Sequence, residues 1–303
     1  MGIIKAGRYI IETSNEERIL FPASKLTKQD LINYYTQIGP IMLPYVKKRP
    51  ISMQRFPNGI NDESFYQKDA PDYFPSWISR TSIAKQENGR VNYVTIDNAA
   101  TLVYLANQAC IVIHIWLSKV DKLEIPDRMI FDLDPSGTNF SEIRKAALMF
   151  HDFLSKIGLE SFPMTTGSRG IHVVVPIKRQ HTFDWVRSCA QTIGSVFVNK
   201  YPSMFTLEIR KEKRGNRIFI DTLRNAFGQT GVAPYSVRAT PHASVATPLY
   251  WHEVANARLK PDLYTIKNIF KRLETIGDPW QSINKHACSL TKACTIAYKL
   301  REN

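Results

Sequence analysis

Met129-Ile-Phe-Asp-Leu-Asp-Pro135 is the stretch on which the fold turns. The two-residue period of a β-strand sends Asp132 and Asp134 to one face, and Phe131 and Leu133 to the other, into a core. Two carboxylates held side by side raise one another's pKa and require a proton or a cation between them. Mg²⁺ or Mn²⁺ suits such a pair, being a hard cation that prefers oxygen and bridges phosphates. Taken alone, an Asp-X-Asp before proline also reads as an ordinary solvated turn. A second stretch, Arg217-Ile-Phe-Ile-Asp221, has the same design, with Ile218 and Ile220 on one face and Asp221 on the other. A third carboxylate at the edge of a neighbouring strand completes a two-metal site, in which one ion activates an attacking hydroxyl and the other holds a triphosphate.

Outward from these strands the pattern alternates between strand and helix. Ile111 to Leu117 reads as a strand, as does Asp127 to Asp134. Asn139-Phe-Ser-Glu142 is a capping box opening a helix to about Ile157, with Gly158 as its stop. Phe162 to Thr166 and Ile171 to Ile177 flank the turn Gly167-Ser-Arg-Gly170 and predict a hairpin. Phe183 to Lys200 and Tyr264 to Ile276 read as helices. Nearer the N-terminus, Thr27-Lys-Gln-Asp-Leu opens a helix through Leu31, Tyr34, Tyr35 and Ile38, with a stop expected at Gly39-Pro40. Ile51 to Phe56, Trp77 to Ile83 and Val91 to Ile96 alternate as strands, and Asn98 to Ala109 reads as a helix. The expectation is one continuous α/β unit over residues 1–303 with a mixed, largely antiparallel sheet flanked by helices. There is no internal repeat and no linker.

The hairpin, Thr165-Thr-Gly-Ser-Arg-Gly-Ile-His172, combines tight-turning glycines, the hydroxyls of Thr166 and Ser168, and the donors Arg169 and His172. A hairpin tip of this composition is often no more than a turn; beside three acids it suits a triphosphate. The basic run Lys211-Glu-Lys-Arg-Gly-Asn-Arg217 leads into Asp221. Arg224 and Arg238 follow it, and because the run adjoins the acids the expectation is Arg238 on the nucleotide phosphates and Arg214 or Arg224 on nucleotide or template. His114, in an apolar strand, reads either as a satisfied structural histidine or as a nucleotide contact.

The chain has 44% apolar residues and a formal charge of +13, enough core to fold and enough charge to hold a polyanion such as nucleic acid. Cys110, Cys189, Cys288 and Cys294 show no CxxC spacing. His286, Cys288 and Cys294 read as faces of a terminal helix rather than a metal cluster. The longest apolar run, Ala109 to Leu117, is about half a membrane span, so no membrane partner is expected. Met1 to Glu12 lacks the core and cleavage site of a signal peptide, which predicts reduced thiols in a cytoplasm.

Seven ordered motifs resemble the polymerase domain of bacterial ligase D and its stand-alone relatives, a branch of the archaeo-eukaryotic primase superfamily. They are Arg18-Ile-Leu-Phe-Pro22, Arg49-Pro-Ile-Ser-Met-Gln-Arg-Phe-Pro57, Phe65-Tyr-Gln-Lys-Asp-Ala-Pro71, Phe131-Asp-Leu-Asp-Pro135, Gly170-Ile-His-Val-Val-Val-Pro176, Ile218-Phe-Ile-Asp-Thr-Leu-Arg-Asn225 and Val232-Ala-Pro-Tyr-Ser-Val-Arg238. The resemblance implies a primase-polymerase fold and a DNA-dependent nucleotidyltransferase that fills gaps and extends 3′ ends in non-homologous end joining, a DNA-repair pathway. Ribonucleotides are favoured, and Mn²⁺ is often preferred to Mg²⁺. It makes Asp132, Asp134 and Asp221 the ligands of two ions, and His114, Arg169, His172 and Arg238 nucleotide contacts. Arg18, Lys28 and Arg55 grip a DNA 5′-phosphate, while Phe65 and Tyr66 stack on template bases. Residues 1–108 become a DNA-end-binding part and 109–303 a catalytic part. Thr166 and Arg169 stand where the family often has Ser and Lys, and Gln54 where some relatives are basic. No ligase or nuclease domain accompanies the unit. A separate ligase, or a trimmed chain, and a Ku-like end-binding protein are therefore expected, besides NTP or dNTP and broken DNA with a 5′-phosphate and a 3′ overhang or gap.

Three rival readings fit the same residues. Primer-independent primase activity shares the chemistry. An apolar strand ending in Asp-X-Asp also fits a haloacid-dehalogenase-like phosphatase, and the basic and aromatic residues fit a non-catalytic module that bridges DNA ends.

Overall fold

The computed structural model describes residues 2–84, 88–137 and 139–302, and the chain forms two compact units. The first comprises residues 1–121, 232–246 and 264–275, and the second 122–231, 247–263 and 276–303. The chain first leaves the first unit at 121/122 and returns to it twice. That unit contains the antiparallel hairpin of β1 (Gly2–Ala6) and β2 (Tyr9–Thr13). Next come α1 (Lys28–Val46), β3 (Ile51–Arg55), β4 (Phe65–Gln67), β5 (Arg80–Ala84), β6 (Arg90–Val94), α2 (Ala99–Asn107) and β7 (Cys110–Trp116). Strand β3 pairs antiparallel with both β4 and β7.

Thr27 caps α1 with a complete capping box: its hydroxyl accepts from the Asp30 amide, and the Asp30 carboxylate accepts from the Thr27 amide. The helix does not stop at Gly39-Pro40 but continues through Pro40 and Pro44 to Val46. Its buried stripe explains this, since Met42, Tyr45 and Val46 prolong the face begun by Leu31, Tyr34, Tyr35 and Ile38. A Cβ on Gly39 would lie 3.0 Å from the Cβ of Ala99 in α2, so this residue serves close helix packing and not a turn.

In the second unit the elements are β8 (Arg128–Asp134), α3 (Phe140–Lys156), β9 (Phe162–Thr165), β10 (Ile171–Pro176), α4 (Phe183–Lys200), β11 (Phe205–Thr206), β12 (Ile218–Asp221), β13 (Thr247–Pro248) and α5 (Leu290–Glu302). The strands form a six-stranded sheet in the order β11-β12-β8-β10-β9-β13, antiparallel except for the β11–β12 pair. One face is covered by aromatic packing. Phe131 of β8 meets Phe150 of α3 edge-on at 4.7 Å, and Phe150 meets Phe197 of α4 at 4.9 Å. The acids are on the other face.

Asn139 caps α3 by accepting from the Glu142 amide, and Gly158, at φ 80°, follows the helix as expected. The helix expected over 264–276 begins only at Ile269. Before it, Val245 donates to Tyr264 O, Ile266 donates to Ala243 O, and the Asn268 side chain accepts from the Thr265 amide. Thr265 is thereby bridged to Ser244, and residues 266–268 form a turn ahead of the helix. Cys189 of α4 and Cys294 of α5 are joined as a disulfide, correcting the expectation of four thiols, while Cys110 and Cys288 are free. No helix among the described residues is long and apolar enough to cross a membrane.

Candidate active site

Register assembles what local alternation only suggests. Strand β8 lies between β12 and β10, and Asp132 is directly opposite Asp221 on one side and His172 on the other, with Asp134 opposite Phe219. Directly opposed residues of antiparallel strands share a face. Asp221, Asp132 and His172 therefore form one row across three strands, with Asp134 one pleat along. His172 Nε2 lies 3.5 Å from Asp132 Oδ2, and its buried Nδ1 has no hydrogen-bond partner among the described residues. Burial, and then the charge of Asp132, raise the carboxyl of Asp134 above its ordinary pKa. Burial also raises that of Asp221, with Asp132 adding to the shift against the pull of a Leu223 amide bond.

Arginines surround these carboxylates at more than hydrogen-bond distance. Arg169 is 3.8 Å from Asp134 Oδ1, and Arg214 is 3.8 Å from Asp134 Oδ2. Arg224 Nε is 3.8 Å from Asp132 Oδ2 and 3.8 Å from Asp221 Oδ2. In this arrangement no three His, Cys, Asp or Glu among the described residues are gathered at metal-holding distance. The chemistry of the donors nonetheless suits a hard cation: every candidate ligand atom is a carboxylate oxygen, and the carboxyls are held against burial and mutual repulsion.

The turn after β12 is fixed by two side chains. Asp221 Oδ1 accepts from the Leu223 amide at 2.7 Å. The fully buried Asn225 reaches back to β8, accepting from the Ile130 amide at 2.8 Å and donating to Ile130 O at 2.7 Å and Thr222 O at 2.9 Å. An amide that mimics a β-bridge in this way ties the Asp221 turn to the Asp132 strand. The hairpin is closed by Thr166, whose hydroxyl exchanges contacts with Gly170 N and O at 3.2 Å, so that hydroxyl already has structural duty. A Cβ on Gly170 would be 2.5 Å from Leu133 O, so only glycine lets the hairpin lie this close to the acidic strand. Ser168 is half-buried and Arg169 exposed.

Arg214 is built in rather than presented. It is buried, its Nε and terminal nitrogens donate to Glu208 O and Ile209 O at 2.9 and 2.7 Å, and its guanidinium lies 3.8 Å over the Phe219 ring. Beside it is a cavity of about 260 Å³ lined by Asp134, Pro135, Ser136, Gly137, Arg169, Lys211 and Arg214. Ser136 Oγ is buried there with no hydrogen-bond partner among the described residues. Asn225, Ser136 and Lys211 were not singled out from the sequence. A polar residue following each acidic strand was the available signal for Ser136 and Asn225, and the basic run ahead of β12 was the signal for Lys211.

The other expected residues belong to the first unit. His114, half-buried on β7, meets Tyr66 edge-on at 5.8 Å. Arg238 is half-buried, its amide donating to Ser244 O at 2.7 Å. Lys28 is buried, with Nζ 2.9 Å from Asn107 O, and burial followed by the charge of Arg18 lowers its pKa. Arg55 donates to Gln108 O at 2.9 Å, Gln67 Oε1 at 2.8 Å and Tyr73 OH at 2.9 Å. Arg18 is exposed and donates to Pro57 O at 2.6 Å. Phe65 and Tyr66 on β4 are 45% and 61% exposed, so neither is a core residue.

Carboxylates from two paired strands beside a hairpin carrying Arg169 and His172 suit phosphoryl-transfer chemistry of the two-metal kind. Comparison with known proteins agrees. The family model described as "LigD, primase-polymerase domain" matches residues 27–280. The bifunctional non-homologous end joining protein LigD of Bacillus subtilis (strain 168) is 31% identical over 272 residues, covering 89% of this chain and 43% of that protein. The multifunctional non-homologous end joining protein LigD of Mycolicibacterium smegmatis is 29% identical over 271 residues, covering 88% and 35%. This chain thus spans less than half the length of these relatives. The solved polymerase domain from Mycobacterium tuberculosis Ligase D, in complex with DNA, superposes with a TM-score of 0.84 at 28% identity, over 91% of this chain and 99% of that one. The chain belongs to the LigD primase-polymerase domain family and is a DNA-directed nucleotidyltransferase domain.

Proposed function

We propose that this domain fills gaps and extends 3′ ends of broken DNA in non-homologous end joining, by in-line attack of a primer 3′-hydroxyl on the α-phosphorus of a nucleoside triphosphate. The observation that carries this reading is the register, which sets Asp132 opposite Asp221 with Asp134 one pleat along. Asp132, Asp134 and Asp221 would hold two Mn²⁺ or Mg²⁺ ions. Bound there, the ions supply a more acidic 3′-hydroxyl and charge neutralisation at the leaving pyrophosphate.

The chain's own groups orient the reactants. Arg169, His172, Arg224 and Arg238, with the Ser168 hydroxyl, receive the triphosphate. Thr166 acts mainly by holding the hairpin, and Arg214 by holding Asp134. His114 reads the 2′-hydroxyl, giving a preference for ribonucleotides. Arg18, Lys28 and Arg55 serve the 5′-phosphate, and Phe65 and Tyr66 the template. A separate or fused ligase, a Ku-like end-binding protein and a cytoplasmic setting complete the reading. Against the phosphatase, the third acid ends an Ile-Phe-Ile-Asp strand and does not belong to a paired acidic motif, and the basic hairpin would have no role there; the bridging module has no use for any of the three acids.

The test is extension of labelled, 5′-phosphorylated gapped DNA with each NTP or dNTP in Mn²⁺ or Mg²⁺, beside an Asp132→Ala/Asp134→Ala control. Templated addition that disappears in the control is expected. Binding without addition would favour the bridging module, and phosphate release alone would favour the phosphatase. Addition on an unprimed template would extend the activity to priming. If His114→Ala leaves the ratio of ribo to deoxy incorporation unchanged, its role as a sugar reader is wrong.

A further inference from the structure

Arg224 differs from the other two arginines at the acids. Arg214 is anchored to backbone carbonyls, and Arg169, with 66% of its side chain exposed, meets Asp134. Arg224 Nε instead stands at the same 3.8 Å from Asp132 Oδ2 and from Asp221 Oδ2, the two acids that the register sets face to face. That nitrogen is buried and has no hydrogen-bond partner among the described residues. A buried donor left without an acceptor is unfavourable, and at this distance charge attraction is what holds the guanidinium between the carboxylates. Its place follows from the chain. Arg224 is bracketed by the Asp221–Leu223 turn and by Asn225, whose amide is tied to Ile130. With 39% of its side chain exposed, its outer part has solvent to move into.

We propose that Arg224 is the resident counter-cation of Asp132 and Asp221. It stands between them while no divalent ion is bound and withdraws when one enters, taking the incoming triphosphate as its new partner. Ion binding and nucleotide binding are thereby coupled through one side chain. The proposal rests on the reading of Asp132, Asp134 and Asp221 as ligands of divalent ions.

The experiment is Mn²⁺ titration followed by electron paramagnetic resonance of the free ion. It compares wild type, Arg224→Gln, Arg224→Lys and Asp132→Asn, each with and without a nonhydrolysable α,β-methylene nucleoside triphosphate. Without the analogue, Arg224→Gln is expected to bind Mn²⁺ about tenfold more tightly than wild type, because a competing positive charge is gone. Arg224→Lys should stay close to wild type, and Asp132→Asn should lose the site. The analogue should tighten Mn²⁺ binding more in wild type than in Arg224→Gln, since coupling is reciprocal. In EDTA, Arg224→Gln should melt below wild type and recover the difference with Mn²⁺. Equal or weaker Mn²⁺ binding by Arg224→Gln, with the site still lost in Asp132→Asn, overturns the counter-cation and leaves the metal reading standing. A melting deficit that Mn²⁺ does not repair also overturns it. Absence of Mn²⁺ binding by wild type overturns both.

Discussion

The acidic row of the second unit and the basic strip of the first are built on opposite terms. On the sheet, Asp132, Asp134 and Asp221 face His172, Arg169, Arg214 and Arg224 at 3.5 to 3.8 Å, contacts of charge without hydrogen bonds. In the first unit the cations are hydrogen-bonded to the fold. Lys28 reaches Asn107 O and Arg55 reaches Gln108 O, so both meet the carbonyls at the C-terminal end of α2, where a positive charge is favoured. At the acids, opposite charges stand apart from one another, although Asp221 and Arg214 are also hydrogen-bonded to the backbone, while in the first unit the cations themselves hold structure. Substitutions should therefore separate activity from stability in the first case and combine them in the second.

The largest expected effect is that of Asp221→Asn, which keeps the shape of the side chain and removes its charge. Nucleotide addition should fall by about 10³-fold or more with DNA binding retained. The stability change should have the opposite sign. Burial, assisted by Asp132, lifts the Asp221 carboxyl above 3.8. A raised carboxyl favours the fold below its unfolded pKa and loses that contribution as pH rises through the folded value. In EDTA at neutral pH the variant should melt above wild type, and the advantage should fade as pH falls toward 3.8. A variant that melts lower at neutral pH would mean that the row is a stabilising network.

Asn225→Ala comes next and sharpens the contrast, since this residue carries no charge. Its loss strands the Ile130 amide and carbonyl, which should cost about 2–4 kcal/mol in denaturant unfolding and reduce addition as the Asp221 turn loosens. Full activity in a destabilised protein would show that register alone holds the acids.

Much of this site was legible because the relevant signals are local. Alternation in β8 and β12 separates the acids from Phe131, Leu133, Ile218 and Ile220, and Gly167 and Gly170 announce the hairpin. Which strand lies beside which is not local, so the pairing of Asp132 with both Asp221 and His172 needed the structure. The same limit explains α1. Gly39-Pro40 signals a stop within its own few residues, but burial of Met42, Tyr45 and Val46 outweighs it. Arg214 and Lys28 read as ligand contacts, and nothing in their neighbours in sequence reveals the carbonyls that receive them.

In the basic strip, Lys28→Met should cost about 1 kcal/mol, because the lost bond to Asn107 O is partly offset by release from a burial that already disfavours the ammonium. Binding of a 5′-phosphorylated end should weaken as well, with the salt dependence of log K falling by about one. Loss of affinity at unchanged stability would place Lys28 on the same terms as the acids.

The smallest expected change in stability is at Phe65 and Tyr66, and there the comparison moves within one strand. Adjacent residues of β4 point to opposite faces. Phe65 lies 5.6 Å from the Arg55 guanidinium, and Tyr66 meets His114. Since both rings are exposed, Phe65→Ala and Tyr66→Ala should each alter stability by no more than about 0.5 kcal/mol. Stacking is worth roughly 1–3 kcal/mol per base, but two rings on opposite faces cannot stack on the same one. Phe65→Ala and Tyr66→Ala should therefore each weaken binding to single-stranded template at a different base, and Tyr66→Ala should in addition change selection of the incoming sugar through His114. Equal losses of template affinity, with the double variant no worse than either single one, would mean that the two rings serve one base and that β4 twists when DNA binds.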